Sequence, residues 1–179
     1  MTEAPVLILP GLYNSGPEHW QTLWERANPG FHRVVQREWA RPDRAEWVAT
    51  LDAATSRHEG AVLVAHSSAC ALVAHWAASH PPGKVRGALL VAPSDPEGPA
   101  YPEGPTGFAP MPLARLDFPS IVVMSANDVY VTPERGAAFA RAWGSTLVNI
   151  GDAGHINGQS GLGEWPVGFE LLRRLREGP

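Results

Sequence analysis

A serine at an abrupt change of pattern is the first candidate for chemistry in this sequence. The apolar run Ala61–Ala65 ends just before Ser67, and an apolar helical pattern begins directly after it. This arrangement is typical of a nucleophile elbow, a sharp strand-to-helix turn that exposes a serine hydroxyl. Small residues must flank such a turn, and Ala65 and Ala69 lie two positions before and after the serine. Alternatively, Ser67 and Ser68 simply cap the helix, since serine is a preferred N-cap residue.

Two later segments also place a polar residue just beyond a predicted strand. The apolar runs Ser120–Ser125 and Thr146–Ile150 predict strands, and Asp128 and His155 follow them. Groups just outside the carboxyl ends of parallel strands converge on one crevice. The order serine, aspartate, histidine along the chain is also that of the α/β-hydrolases. Singly, Asp128 could be a turn former and His155 an exposed loop histidine, but with Ser67 they indicate a catalytic group.

These residue types can together make a serine reactive. A serine hydroxyl is a poor nucleophile at neutral pH, so an imidazole has to accept its proton and later return it to the leaving group. We expect His155 to act as that base toward Ser67, with Asp128 hydrogen-bonded to its other ring nitrogen. Asp95 also follows a predicted strand and is the second candidate for the carboxylate, and Ser68 is the alternative nucleophile.

Acyl transfer also needs hydrogen-bond donors for the oxyanion that develops during attack. The backbone N–H of Ser68, the residue after the nucleophile, is the first candidate. The second donor should come from the loop after the first strand, where Gly11 allows the backbone to turn back and present the Leu12 N–H. The same loop, residues 10–20, could also be an ordinary strand-to-helix turn.

The motifs as a set resemble a known family. They cover nearly the whole chain and comprise the loop Pro10–Trp20, the elbow Ala65–Ala69, the segments Ser125–Val131 and Gly154–Asn157, and the run Gly161–Pro166. Together they resemble the small serine hydrolases of the retinoblastoma-binding-protein-9 type, also called YdeN-like. This resemblance implies a minimal α/β-hydrolase with a Ser-Asp-His triad, which falls by position on Ser67, Asp128 and His155. Members of that family commonly carry glycine at the positions of Ala65 and Ala69.

The surrounding pattern alternates strands and helices, which favours an α/β fold with a parallel sheet of about six strands. The predicted strands are Pro5–Leu9, Arg33–Gln36, Gly60–Ala65, Val85–Val91, Ser120–Ser125 and Thr146–Ile150. The predicted helices are Pro17–Ala27, one capped by Asp43, Ser68–His80, one opened by Thr132 and Pro133 that reaches Trp143, and Pro166–Arg176. We therefore expect residues 1–179 to form one compact α/β-hydrolase domain, with helices on both faces and no large lid domain.

A proline-rich segment interrupts this alternation. Prolines recur at every third position from Pro93 to Pro105, which is the period of a polyproline II helix. Larger hydrolases insert a lid at this point of the chain. We expect Tyr101, Phe108 and Met111 to form an apolar rim over Ser67 that selects the acyl group. A rigid surface connection is the alternative interpretation.

Composition and charge narrow the function classes. The chain has 179 residues and a net charge of -4, and the absence of a basic run argues against nucleic-acid binding. The single cysteine, Cys70, cannot form an internal disulfide bond. No signal peptide and no apolar run of membrane-spanning length is recognisable, so we expect no membrane contact and a cytoplasmic location. The remaining histidines show no spacing typical of metal ligation, and we expect neither a metal nor a cofactor.

The predicted function is hydrolysis of a small ester, or alternatively an amide or thioester, with an apolar acyl group. The reaction would pass through an acyl-serine intermediate. The expected partner is therefore a small acyl substrate, and the oligomeric state stays open. The alternative is a protein-binding α/β platform whose triad is vestigial, and turnover of p-nitrophenyl acetate would separate the two.

Overall fold

The computed structural model describes residues 4–80 and 83–178. Within these residues, six strands form one parallel sheet, in the order β2-β1-β3-β4-β5-β6. The strands are β1 Val6–Leu9, β2 Phe31–Arg33, β3 Ala61–His66, β4 Val85–Val91, β5 Ser120–Met124 and β6 Thr146–Asn149. The predicted parallel sheet is confirmed. Strand β2 begins earlier than expected, because the buried Phe31 rather than the more exposed Val35 pairs with β1.

Five α-helices in the described part of the chain connect and cover the strands. They are α1 Trp20–Ala27, α2 Arg44–Arg57, α3 Ser68–Ser79, α4 Pro133–Trp143 and α5 Pro166–Glu177. The predicted N-caps hold, since the Asp43 and Thr132 side chains accept hydrogen bonds from backbone N–H groups of α2 and α4. Helix α1 starts three residues later than expected, because the His19 side chain caps it by accepting from the Gln21 N–H. None of the helices described here is long and apolar enough to cross a membrane.

Two apolar clusters, one on each face of the sheet, hold the helices in place. Alternate residues of β3 point to opposite faces, so Leu63 belongs to the cluster beneath α2, α3 and α4, whereas Val62 and Val64 belong to the one beneath α1 and α5. All of β3 is buried. Burial of each such side chain contributes about 1.5–3 kcal/mol. The centre of the sheet is therefore the most firmly held part of the fold, and its carboxyl edge is a rigid base for a site.

The proline-rich segment differs from the expectation. Polyproline II has no internal hydrogen bonds, but here the Gly98 N–H donates to Asp95 O and the Tyr101 N–H donates to Gly98 O, so the chain forms successive turns. The segment then packs onto α2 and α3, where the His75 ring donates to Phe108 O at 2.8 Å. It forms a folded connection on the body of the protein and no separate lid.

Two residues of the expected apolar rim lie in the core instead. Phe108 is 1% exposed and its ring packs edge-on against that of Trp47, with the centroids 5.7 Å apart. Met111 is 4% exposed and belongs to the same cluster. The prediction that they cover Ser67 is wrong, because burying these large apolar side chains against α2 and α3 is more favourable than leaving them at an open edge. Tyr101 alone stays near the site, with its hydroxyl 3.4 Å from Ser68 Oγ.

Candidate active site

Ser67 occupies a sharp turn between β3 and α3. Its backbone angles are φ 60° and ψ -127°, a conformation that costs a non-glycine residue about 1–3 kcal/mol. Hydrogen bonds on both sides hold the turn, because the Ser67 N–H donates to Val91 O and the Cys70 N–H donates to Ser67 O, each at 3.0 Å. The Ser67 side chain makes no capping hydrogen bond to α3. The helix-cap interpretation of Ser67 is therefore wrong, and its hydroxyl is available for other contacts.

The tightest contact at this turn comes from the loop after β1. A Cβ atom added to Gly11 would lie 2.8 Å from Ser67 Cβ and 2.9 Å from His66 O, closer than real Cβ atoms approach. Ala65 and Ala69 are fully buried beside the turn. The elbow therefore tolerates alanine at its two flanking positions, while the glycine it requires is Gly11.

Ser67, His155 and Asp128 form a continuous hydrogen-bonded line. The Ser67 hydroxyl lies 2.8 Å from His155 Nε2, and His155 Nδ1 lies 2.8 and 3.0 Å from the two carboxylate oxygens of Asp128. The Asp128 side chain has no exposed area, and that of His155 is 11% exposed. Because a carboxylate only accepts, Nδ1 carries the proton and donates it toward Asp128. Nε2 is then free to accept the proton of Ser67.

The loops that carry Asp128 and His155 are bonded to each other. The Asn127 side-chain oxygen accepts from the Gly154 N–H at 2.7 Å, and Ser125 Oγ accepts from the Ala153 N–H at 2.9 Å. The Ser125 hydroxyl in turn donates to Asn127 Oδ1 at 2.8 Å. These contacts fix the spacing between the two loops beyond the ends of β5 and β6.

Asp95, the second candidate for the carboxylate, has a different partner. Its two oxygens accept from Nε and Nη2 of Arg135 at 2.7 and 2.9 Å. Burial, the largest single effect, raises the pKa of Asp95, but the hydrogen bonds from Arg135 and the Glu97 N–H, together with the charge of Arg135, hold that pKa below its usual value. The neighbouring Ser94 is the residue at this strand end that reaches the elbow, with its hydroxyl 2.9 Å from Ser67 Oγ. Sequence reasoning did not assign Ser94, although its position just past β4 is the signal that could have identified it.

Two further imidazole rings stand beside His155. The ring centroids of His19 and His66 are 4.7 Å apart, and those of His66 and His155 are 4.9 Å apart. Burial lowers the pKa of His19 to about 4, assisted by the charges of Arg33 and His155. Burial also lowers the pKa of His66 well below its usual value, with His155 and His19 adding to the effect. Both rings are therefore neutral at neutral pH, and the His19 Nε2 atom has no hydrogen-bond partner in the part of the chain described.

A cavity of about 700 Å³ opens above Ser67. It is lined by residues of the β1 loop, the elbow and the loop around His155, among them Leu12, Ser68, Ser94, Pro102 and Tyr130. Among the lining residues described, Glu18 is the one with a permanent charge. Within residues 4–80 and 83–178, no three His, Cys, Asp or Glu side chains are grouped as metal ligands.

Ser68 and Leu12, the residues whose backbone N–H groups are expected to bind the oxyanion, both line this cavity. Ser68 is the first residue of α3, where a backbone N–H has no intrahelical acceptor. Leu12 lines the same cavity and precedes Tyr13, whose own N–H is bound to Trp39 O at 3.0 Å. The arrangement presents the Ser67 hydroxyl, the His155 imidazole and the N-terminus of α3 to one space, and such a helix end favours a negative charge.

Comparisons with known proteins bear on the family and the fold of this chain. A family model for serine hydrolases matches residues 6–174. A structure from Pectobacterium atrosepticum described as a YdeN-like hydrolase has a TM-score of 0.84 and 32% identity, over 97% of this chain and 90% of that one. The ydeN gene product of B. subtilis has a TM-score of 0.72 and 19% identity, over 99% of this chain and 100% of that one. A thermophilic esterase from Thermogutta terrifontis shares the fold, with a TM-score of 0.67 and 19% identity over 98% of this chain and 91% of that one.

A comparison with curated protein sequences gives no match. The family match nevertheless spans nearly all of the chain, and the similarity at 32% identity covers both proteins almost completely. The expected resemblance to the small YdeN-like hydrolases and the compact α/β-hydrolase fold are thereby confirmed. The chain belongs to the serine hydrolase family, and it is a hydrolytic enzyme of the α/β-hydrolase superfamily.

Proposed function

We propose that this hydrolase cleaves small carboxylic esters through an acyl-serine intermediate, with Ser67 as the nucleophile. Ser67 Oγ attacks the ester carbonyl carbon while His155 Nε2 takes the hydroxyl proton. The tetrahedral intermediate collapses, the bond to the alkoxy oxygen breaks, and the leaving alcohol receives that proton from His155. A water molecule then repeats the sequence on the acyl-serine, which releases the acid and restores Ser67.

Asp128 and the backbone donors support these steps in different ways. The carboxylate of Asp128 holds His155 in the tautomer that accepts at Nε2, and it stabilises the imidazolium that forms during attack. The N–H groups of Ser68 and Leu12 face the developing oxyanion, and the loss of one such donor costs roughly 3 kcal/mol of transition-state stabilisation. The positive end of α3 acts in the same direction.

The charge of the cavity points to a neutral acyl group. Apolar side chains of Leu12 and Tyr130 line the space above Ser67, and the rings of His19 and His66 are neutral. A carboxylate on the substrate would meet no cation among the lining residues described, and it would be repelled by Glu18. Tyr101 stands at the edge of this space, and we keep it as a substrate contact within the proposal.

The observation that carries the proposal is the unbroken hydrogen-bonded line from Ser67 through His155 to Asp128. Purified protein should hydrolyse p-nitrophenyl acetate and become labelled by a fluorophosphonate. Ser67→Ala should abolish both signals, while Ser68→Ala should keep the label, because the Ser68 backbone N–H survives the substitution. A wild-type protein with neither turnover nor labelling would contradict the proposal and favour the protein-binding platform.

A further inference from the structure

The backbone that carries the His155 ring passes through a strained turn. Ile156, the next residue, has φ 47°, the left-handed region that a β-branched side chain rarely adopts. Its side chain is fully buried in the cluster beneath α1 and α5. Such a conformation persists only where surrounding contacts over-determine it. The contacts that hold residues 155 and 156 therefore decide where the imidazole of His155 stands.

The first of these contacts comes from His66. The alternation along β3 turns this side chain toward the face of Val62 and Val64, where the loop of His155 packs. Its Nε2 atom lies 2.8 Å from the main-chain oxygen of His155. A carbonyl oxygen can only accept, so His66 Nε2 carries the proton and donates. The ring is 5% exposed and shielded from competing water.

The second contact comes from Trp20, at the start of α1. Its indole Nε1–H donates to the main-chain oxygen of Ile156 at 2.8 Å. The Trp20 side chain is 1% exposed and packs in the same apolar cluster as Ile156. Two successive carbonyls of one loop are thus bound by buried ring donors from two different elements, β3 and α1.

We propose that His66 and Trp20 are positioning residues of the hydrolysis, whose ring N–H groups hold the carbonyls of His155 and Ile156 and so aim the His155 ring at Ser67. This inference rests on the proposed function, since it concerns the base of that reaction. Two hydrogen bonds then link the elbow to the His155 residue. One joins Ser67 Oγ to His155 Nε2, and the other joins His66 Nε2 to the main-chain oxygen of His155.

The neutral state of His66 also suits this role. Among the described residues, the titratable groups that face it are His155 and His19, and none of the carboxylates there contributes to its titration. A protonated His66 would repel the imidazolium that forms on His155 during attack, with the ring centroids 4.9 Å apart. A neutral donor keeps the carbonyl bound and leaves His155 as the ring that gains the proton.

The test uses substitutions that separate the donor from the packing. His66→Phe keeps the ring volume and removes the donor, whereas His66→Gln places an amide N–H near the position of Nε2. Trp20→Phe removes the second donor. We expect kcat for p-nitrophenyl acetate to fall about 10- to 100-fold in both Phe variants, since a misplacement of about 1 Å costs up to 10²-fold. KM should stay close to the wild-type value, and His66→Gln should recover most of kcat.

Matched controls are present in the same chain. His75 donates to Phe108 O at 2.8 Å and Trp143 donates to Pro112 O at 2.8 Å, both away from the cavity. His75→Phe and Trp143→Phe should therefore lose a bond of the same kind and keep kcat. Thermal unfolding and circular dichroism of every variant show whether it is folded at the assay temperature.

The outcomes separate the proposal from a purely structural role. If His66 only filled space, His66→Phe would keep kcat and His66→Gln would lose it, which would overturn the inference. A wild-type enzyme without turnover or labelling would instead refute the proposed function. Should His66→Phe fail to fold, His66→Asn replaces it, because its shorter amide cannot reach the carbonyl. Equal kcat in His66→Asn and His66→Gln would then refute the positioning role.

Discussion

The close approach of Gly11 to the elbow makes Gly11→Ala the sharpest test of the site's construction. The added Cβ would lie 2.8 Å from Ser67 Cβ and 3.3 Å from Ser67 Oγ. Carbon atoms in contact rest about 3.5–4.0 Å apart, so the β1 loop and the elbow have to separate by roughly 0.7 Å. Neither side yields easily, because Ser67 is already in a strained backbone conformation and β3 is buried throughout.

Both activity and stability should fall. A shift of this size at the nucleophile moves Ser67 relative to His155 and moves the Leu12 N–H relative to the oxyanion, so we expect kcat to drop about 10- to 100-fold. Overpacking at a rigid contact destabilises a protein by typically about 1–3 kcal/mol. For a chain of this length each 1 kcal/mol lowers Tm by about 2–4 °C.

The assay compares Gly11→Ala with Gly30→Ala. A Cβ added to Gly30 has no neighbour within 4 Å, and that residue lies away from the cavity. Turnover of p-nitrophenyl acetate and Tm should both be near wild type in Gly30→Ala. If Gly11→Ala kept the wild-type kcat and Tm as well, the tight contact between the β1 loop and Ser67 would be refuted, and with it the assignment of the Leu12 N–H as an oxyanion donor.

Three further outcomes follow from the charges around the site. Asp128→Asn should lower kcat by about 10⁴-fold, the loss typical when the carboxylate partner of a triad histidine is removed, while Asp95→Asn should leave kcat near wild type. The reverse result in turnover assays would make Asp95 the carboxylate partner. Glu18→Gln should raise turnover of p-nitrophenyl hemisuccinate relative to the acetate severalfold, because it removes a like charge from the cavity lining, and added salt should reduce the difference. Folding lowers the pKa of His19 from its usual 6.5 to about 4, so between these pH values the unfolded chain binds a proton and the folded protein does not. Stability is therefore lost as pH falls through this window. His19→Asn retains a capping oxygen, and between pH 7 and pH 5 its free energy of unfolding should fall by about 2 kcal/mol less than that of the wild type, as measured by denaturant unfolding. An equal fall in the two proteins would contradict a buried neutral His19 ring.

The sequence predicted the sheet well because local pattern and tertiary environment agree there. The apolar run before Ser67 is continuous, as expected for a strand buried on both faces, and the caps Asp43 and Thr132 act within one turn. The predicted positions of Asp128 and His155 rested on the same rule, since the carboxyl ends of parallel strands share an edge. In the structure both side chains do lie at that edge, within hydrogen-bond distance of each other.

Prediction from local sequence pattern fails in the proline-rich segment. The period of three described the prolines but not the residues between them, and turns at Gly98 and Tyr101 break the extended path. Phe108 and Met111 are expected at the cavity because their segment stands where larger hydrolases insert a lid, yet both side chains pack against the apolar surface of α2 and α3. That surface becomes visible only once the helices are packed, and local sequence carries no signal for it.

The three adjacent imidazoles at the site show why residue type alone does not assign a role. His19 accepts from a backbone N–H at Nδ1, His66 donates to a backbone carbonyl from Nε2, and His155 alone meets a carboxylate. A carboxylate favours the protonated ring, whereas burial without an opposite charge disfavours it. Because only His155 of the three faces a carboxylate, it is the imidazole that we propose for proton transfer. The neutral rings of His19 and His66 serve in this proposal as fixed hydrogen-bonding groups. The distinction lies in contacts between residues up to 89 positions apart in sequence, such as that of His66 with the main-chain oxygen of His155, which no local motif encodes.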